Sequence, residues 1–352
     1  MKARKPGEPW VKVSVGYLAI ALKLNLAAIG AAWADDALLD KARQYFAPLP
    51  KTMATAQRPL TPALVELGRA LFFDPRMSVD GTASCARCHQ PALYGTDGPA
   101  KSHGNHDKLN ARNAPTVLNA ALQIKQHWVG DREDVEDQAT KALTGPASFG
   151  NPNFETPMAR IKAIAGYLPM FQAAFPNDVD AVTPTNWGRA IGAYERTLVS
   201  RSPFDDFLEG KLDALSAAER QGSQTFINTG CIACHNGVGI GGSEFKKFGV
   251  TEDYWKATGS KEPDEGRFLA TKNPDDEYVF KVPTLRNVAM TGPYFHDGSA
   301  GSLEKAVQAI AKLQLGVTTT DKEVREIVAF LASLTGTLPD NFASAPILPA
   351  ER

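Results

Sequence analysis

The sequence predicts a mainly α protein of two domains. Three observations lead there. An amphipathic helical pattern followed by Cys-x-x-Cys-His occurs once in each half, beginning at Cys85 and again at Cys231. Period-two strand patterns are scarce, whereas helical spacing and capping signals recur. A chain of 352 residues, 43% apolar and 22% charged, is long enough for two ordinary cores. That composition excludes disordered, collagenous and multi-span membrane classes.

Residues 1–34 read as an export signal. Lys2, Arg4 and Lys5 make a basic start, 13–32 is mostly apolar, and Ala32-Trp33-Ala34 supplies small residues for cleavage after Ala34. The alternative is a retained anchor, which Lys23 inside the run disfavours. The expected location is therefore the periplasm. Removing the segment leaves 33 basic against 38 acidic residues, a mildly acidic mature chain. Nothing in that balance calls for nucleic acid as a partner.

The first domain is expected over 35–201. Thr61-Pro62 opens a helix, with Pro at the first helical position where its missing N–H costs nothing. Leu64, Leu67, Gly68 and Leu71 follow at helical spacing, and Asp74-Pro75-Arg76 stops them. Cys85-Ala86-Arg87-Cys88-His89 comes next, and a helical stretch over 187–198 closes the domain before Arg201-Ser202-Pro203. The second domain is expected over 202–352. Ser216 and Glu219 form a capping box, the helix runs through Ile227, and Asn228-Thr229-Gly230 breaks it ahead of Cys231-Ile232-Ala233-Cys234-His235. A second capping box, Thr320 with Glu323, leads into Val324, Ile327, Val328, Leu331 and Leu334, with an end at Gly336. Long Gly/Pro/Asn-rich loops cover 145–157 and 237–266.

Cys-x-x-Cys-His is the attachment signature of c-type haem: two thiols bond the porphyrin, and the adjacent imidazole ligates iron. A redox dithiol or half of a zinc site are the alternatives, zinc wanting further Cys or His ligands. Here all four cysteines are spent on two complete motifs, so the fold becomes two cytochrome-c-like domains, each with one covalent haem c. Cys85, Cys88, Cys231 and Cys234 anchor the haems, and His89 and His235 are the proximal iron ligands. His103, His106, His127 and His296 remain.

From Leu67 to Gly336 the sequence resembles the bacterial di-haem cytochrome c peroxidases and their tryptophan-oxidising relatives. The resemblance is carried by Leu67-Gly68-Arg69-Ala70-Leu71-Phe72-Phe73-Asp74-Pro75-Arg76 and Arg112-Asn113-Ala114-Pro115-Thr116-Val117-Leu118-Asn119. In the second half it rests on Phe280-Lys281-Val282-Pro283-Thr284-Leu285-Arg286-Asn287-Val288 and Pro293-Tyr294-Phe295-His296-Asp297-Gly298. It implies that the His89 haem is the peroxide site and that the His235 haem accepts electrons from a small donor. Trp128 matches the family tryptophan between the haems, its alternative being an ordinary buried Trp. Asn113, Thr291 and Pro293 match an inter-domain calcium site of oxygen ligands; for Asn113 the alternative is a turn cap. Gln138 matches the glutamine that hydrogen-bonds peroxide.

Three positions depart from the family pattern. Gly145-Pro146-Ala147-Ser148 carries Ser148 where the family has Glu, and an unactivated hydroxyl is a poor base. The displaceable distal His falls at Asn105, leaving His106, or His103, to serve after a shift of the loop, or to be solvent-exposed. At the second haem the axial Met position is Ile310, which cannot ligate iron. Met290 is the substitute candidate, its alternative being a core residue. His127 is expected to pack, and His296 to make structural hydrogen bonds in a turn.

The function expected is reduction of hydrogen peroxide to water by electrons from a small cytochrome c or copper protein, with a homodimer by analogy with relatives. The competing readings are a di-haem oxidase that modifies a protein or other substrate, and a non-catalytic electron-transfer module.

Overall fold

The computed structural model describes residues 36–351, so the expected export segment and its cleavage site lie outside the described residues. Helical backbone over 36–43 (α1) is followed by α2 (Pro62–Phe73) and the short α3 (Cys85–Cys88). Next come α4 (Val135–Ala142), α5 (Glu155–Ala163), α6 (Tyr167–Ala174) and α7 (Pro184–Glu195). The second half carries α8 (Pro203–Leu208), α9 (Ala217–Thr229), α10 (Tyr254–Thr258), α11 (Phe268–Thr271), α12 (Leu303–Leu315), α13 (Asp321–Ala332) and α14 (Asp340–Ala343). Two short strands, β1 (Phe245–Lys247) and β2 (Val279–Lys281), pair antiparallel with Phe245 opposite Lys281. Among the described residues no helix is long and apolar enough to cross a membrane.

The helix starts follow their caps. Thr61 Oγ1 accepts from Leu64 N ahead of Pro62, and Ser216/Glu219 and Thr320/Glu323 form the two expected capping boxes. The ends are less regular. Helix α13 stops at Ala332 rather than Gly336, because the following chain finds other partners: Gly336 N donates to Asn287 Oδ1 at 2.8 Å. Helix α7 starts at Pro184 and stops at Glu195, earlier at both ends than the expected 187–198. Thr183 caps it, and after it the Arg196 side chain turns to a buried bidentate pair with Glu136 (2.7 and 3.0 Å).

The first core gathers Leu67, Leu71 and Phe72 of α2 with Trp187, Ile191 and Tyr194 of α7. The two helices approach backbone to backbone at Gly68, where a Cβ would fall 1.8 Å from Ala190 O. The second core packs Phe226 of α9 against Ile327, Phe330 and Leu331 of α13, with Phe204 edge-on to Phe330 at 5.0 Å. A third, smaller cluster of Val129, Phe248, Tyr254, Phe280 and Leu313 contains residues of both halves.

The chain ends cross over. Leu38, Leu39, Ala42 and Phe46 belong to the second core, and Phe342 of α14 to the first. A fully buried ion pair explains the first crossing: Asp205 accepts from Leu49 N (2.7 Å) and from Arg286 Nη1 (3.0 Å), while Arg286 Nη2 donates to Ala47 O. A cut between 201 and 202 therefore separates the two cores only in the middle of the chain.

Candidate haem-binding sites

Each Cys-x-x-Cys-His motif forms one tight turn on its own core. Cys85 and Ala86 pack on the first core, Cys231 and Ile232 on the second. A single helical turn brings residues three apart to one side, and His89 N and His235 N close the turns by donating to Cys85 O and Cys231 O, both at 3.0 Å. No two of the four cysteines are joined in a disulfide. Burial pushes their pKa values up, to about 11 for Cys88 and Cys231. A redox dithiol is favoured by a lowered thiol pKa, the opposite of the direction that burial gives here. Among the described residues no group of three or more His, Cys, Asp or Glu converges as a zinc cage would.

The imidazoles suit a proximal role. His89 Nδ1 lies 3.0 Å from Gly95 O; a carbonyl only accepts, so the proton sits on Nδ1 and the Nε2 lone pair is left for a metal. Burial lowers the His89 pKa and takes His235 to about 4, the backbone at Ile240 and Pro283 opposing, so both rings are neutral at pH 7. His235 Nδ1 is buried without a hydrogen-bond partner of good geometry. Gly241, at φ +111°, allows this approach: a Cβ there would stand 2.3 Å from Pro283 O and 3.0 Å from His235 Nδ1.

His235, Cys231 and Cys234 open onto a predominantly apolar cavity that, with its mouth, holds about 1690 Å³. Phe226, Phe280, Val307 and Leu331 line it, as does Ile310, the residue at the expected axial-ligand position. The cavity extends into the first half, reaching Thr96, Asn113 and Thr116, with Trp128 in its wall. Trp128 Nε1 donates to Asn113 O at 2.9 Å, and Trp128 O accepts from Lys281 N at 2.7 Å, so this residue is held by both halves. The two halves are also joined by Arg112, bidentate to Asp264 at 2.7 and 2.8 Å.

Met290 is not in the cavity wall. It sits on a 3-10 turn (Val288–Met290), 47% exposed, so it is neither an axial ligand in this arrangement nor a core residue. Asn113, Thr291 and Pro293 do line the same cavity. Asn113 Nδ2 donates to Pro99 O (3.1 Å) and its main-chain N to His296 O (2.8 Å), contacts too distant in sequence for a local turn cap. His296 is buried and stacked on Phe280 at 4.3 Å, and its carbonyl makes the expected structural hydrogen bond. His127 pairs with Asp131 at 2.9 Å, half exposed rather than packed inside.

On the first haem side, the 102–110 loop lies between Cys88 and the 145–150 loop. Arg87 Nε donates to His103 O (2.8 Å), and Asn110 Nδ2 to Ala147 O (2.8 Å). Asn105 is the buried member: its Nδ2 donates to Pro146 O at 2.8 Å and Ser148 O at 3.1 Å. His103 and His106 are exposed, their Nδ1 atoms 3.1 Å from Asp107 and 3.7 Å from Asp80. Either would have to leave these partners to reach iron. Gln138, on α4, and the Ser148 hydroxyl are half-buried and make no side-chain hydrogen bond among the described residues. Sequence reasoning missed Glu195, a buried carboxyl on α7 that burial and the charge of Glu136 push up to about 8. It also missed Lys281, buried in the cavity wall. Lys281 stands inside an apolar run and Glu195 at the end of one, which was the available signal.

Paired thiols and a neutral imidazole on each of two helical cores, the second set opening onto an apolar cavity, are what a c-type cytochrome with a site in each half is built from. The family model for di-haem cytochrome c peroxidase matches residues 62–213. The cytochrome c551 peroxidase of Nitrosomonas europaea is 40% identical over 290 residues, covering 81% of this chain and 83% of that protein. The cytochrome c551 peroxidase of Pseudomonas aeruginosa is 39% identical over 322 residues, 90% of each. The crystal structure of a MauG-like protein associated with microbial copper homeostasis superposes with a TM-score of 0.75 at 29% identity, over 85% of this chain and 97% of that one. The chain belongs to the di-haem cytochrome c peroxidase family, which implies two c-type haems and a peroxidase-type oxidoreductase.

Proposed function

We propose that this protein reduces hydrogen peroxide to water in the periplasm, taking electrons from a small cytochrome c or copper protein. The observation that carries the reading is the pair of thiol–imidazole sites on separate cores, with a cavity that runs from the second site into the first half past Trp128. When bound, the two haems supply an iron that coordinates peroxide and a second iron that relays electrons. The chain's own residues divide the remaining work. His89 and His235 are the residues that would hold iron, His89 through the Nε2 left free by its Nδ1 contact with Gly95 O. Gln138 offers an amide donor to a peroxide oxygen, and Trp128 offers an aromatic ring between the halves. Pro146 shapes the turn carrying Ser148, whose hydroxyl orients water or peroxide but does not act as a base near pH 7. Asn113, with the carbonyls of Thr291 and Pro293, offers the oxygen donors a calcium ion prefers.

One observation favours a second reading, in which a surface substrate is oxidised. Aromatic rings run outward from Trp128: Trp128 to His296 (6.3 Å), His296 to Tyr254 (5.3 Å), Tyr254 to Trp255 (5.2 Å) and Trp255 to Tyr278 (4.9 Å). Trp255 and Tyr278 are half-exposed, so electrons could be drawn inward from there. The test is peroxide consumption with a reduced small cytochrome c or copper protein as donor. Each peroxide takes two electrons and two protons to give two waters, so two one-electron donors should be oxidised per peroxide. Peroxide loss without donor oxidation, with oxygen added at Trp255 or Tyr278 by mass spectrometry, would select the second reading.

A further inference from the structure

Lys281 lies between Phe280 and Val282 in β2 and its exit, and is only 4% exposed. Its Nζ donates to Gln123 Oε1 and to Lys125 O (2.9 Å), both neutral acceptors. An ammonium has three donors, so one remains. The other Lys and Arg side chains of the cavity wall are neutralised: Lys246 pairs with Glu244 at 3.0 Å and Arg286 with Asp205 at 3.0 Å. Among the described residues, Lys281 has no carboxylate partner, and burial alone takes its pKa down to about 7. An unpaired cation in an apolar wall is costly, and the cost is relieved when an anion shares the cavity. Haem carries two carboxylate side chains.

We propose that Lys281 is the anion anchor of this cavity, its ammonium binding a propionate carboxylate of the haem attached at Cys231 and Cys234. The contact has two consequences. A positive charge beside this haem favours the reduced iron, which carries one charge less, and so raises the potential of the electron-accepting centre. Because Lys281 N also donates to Trp128 O, the same residue ties the propionate edge to the main chain at Trp128. The inference rests on the haem assignment and not on peroxide as substrate.

The test compares K281Q and K281R with wild type as holoproteins, after absorbance confirms two haems per chain. Spectroelectrochemical titration should show the second-haem midpoint shifted downward in K281Q, the first unmoved, and most of the shift restored in K281R. Full haem content with an unmoved second-haem midpoint overturns the anchor, as does a shift confined to the first haem. Where K281Q does not assemble, resonance Raman of wild type against K281R reads the propionate bending mode of the second haem directly. A shifted mode is expected when a guanidinium replaces the ammonium, and an unchanged mode overturns the contact. Wild type lacking haem would instead remove the haem assignment itself.

Discussion

Replacing Ser148 with Glu should raise peroxide turnover by about 10²–10⁴-fold, the usual worth of a positioned general base. That gain corresponds to lowering the barrier by roughly 3–5 kcal/mol. The structure gives the new carboxylate a fixed starting point. Ser148 N donates to Gly145 O at 3.0 Å, and Ser148 O accepts from both Asn105 N and Asn105 Nδ2 at 3.1 Å. The side chain is half-buried and its hydroxyl unbonded, so a longer side chain displaces no core packing. The two buried glutamates of the first half are otherwise engaged: Glu136 holds Arg196, and burial keeps Glu195 protonated near neutral pH, with a pKa of about 8. The assay is steady-state donor oxidation at fixed peroxide, normalised to haem content, for wild type and S148E. Unchanged turnover at full haem content would refute the reasoning, because it would mean that another group already moves the proton.

Other perturbations follow from the same contacts. D205N should cost about 3–5 kcal/mol in denaturant unfolding, because it leaves Arg286 buried opposite a neutral group. Burial pushes the Asp205 carboxyl up, but Arg286 and the N–H groups of Ser202 and Leu49 outweigh it and hold it low. Its stabilisation is thus present above the unfolded carboxylate value of about 4 and lost as pH falls through the lower folded value; D205N should lack that acid slope. For Glu195 the sign is opposite: the unfolded chain ionises from about 4.3 while the folded group waits until about 8. Wild-type stability should therefore fall across that window and level off above it, and E195Q should remove this contribution to the slope, as paired denaturation curves at several pH values would show. H103A and H106A should each leave the low-spin electron paramagnetic resonance signal unchanged, since the exposed rings rest on Asp107 and Asp80. Loss of a low-spin component in either variant would identify a distal ligand.

What was legible in the sequence was whatever is encoded locally. Two Cys-x-x-Cys-His turns need five consecutive residues each, and the capping boxes at Ser216 and Thr320 need four, so they could be read directly. What depends on distant partners was not. The end of α13 is set by Asn287, and the end of α7 precedes the bond between Arg196 and Glu136. The 201/202 boundary missed the crossing of the chain ends because Leu49 N finds Asp205, 156 residues away. Met290 follows an apolar Val-Ala pair and reads as core, yet the turn carries it to the surface. Among three neighbouring loop residues, only Asn105 is buried, and spacing alone could not separate it from His103 and His106.

The most direct measurement is an anaerobic peroxide titration of the fully reduced holoprotein, following the Soret and α bands. Two ferrous haems hold two electrons, which is what one peroxide requires. Both haems should be oxidised within seconds of mixing, with the end point at one peroxide per chain. An end point at half an equivalent, or a protein whose haems both stay reduced, would contradict a two-centre peroxide reductase.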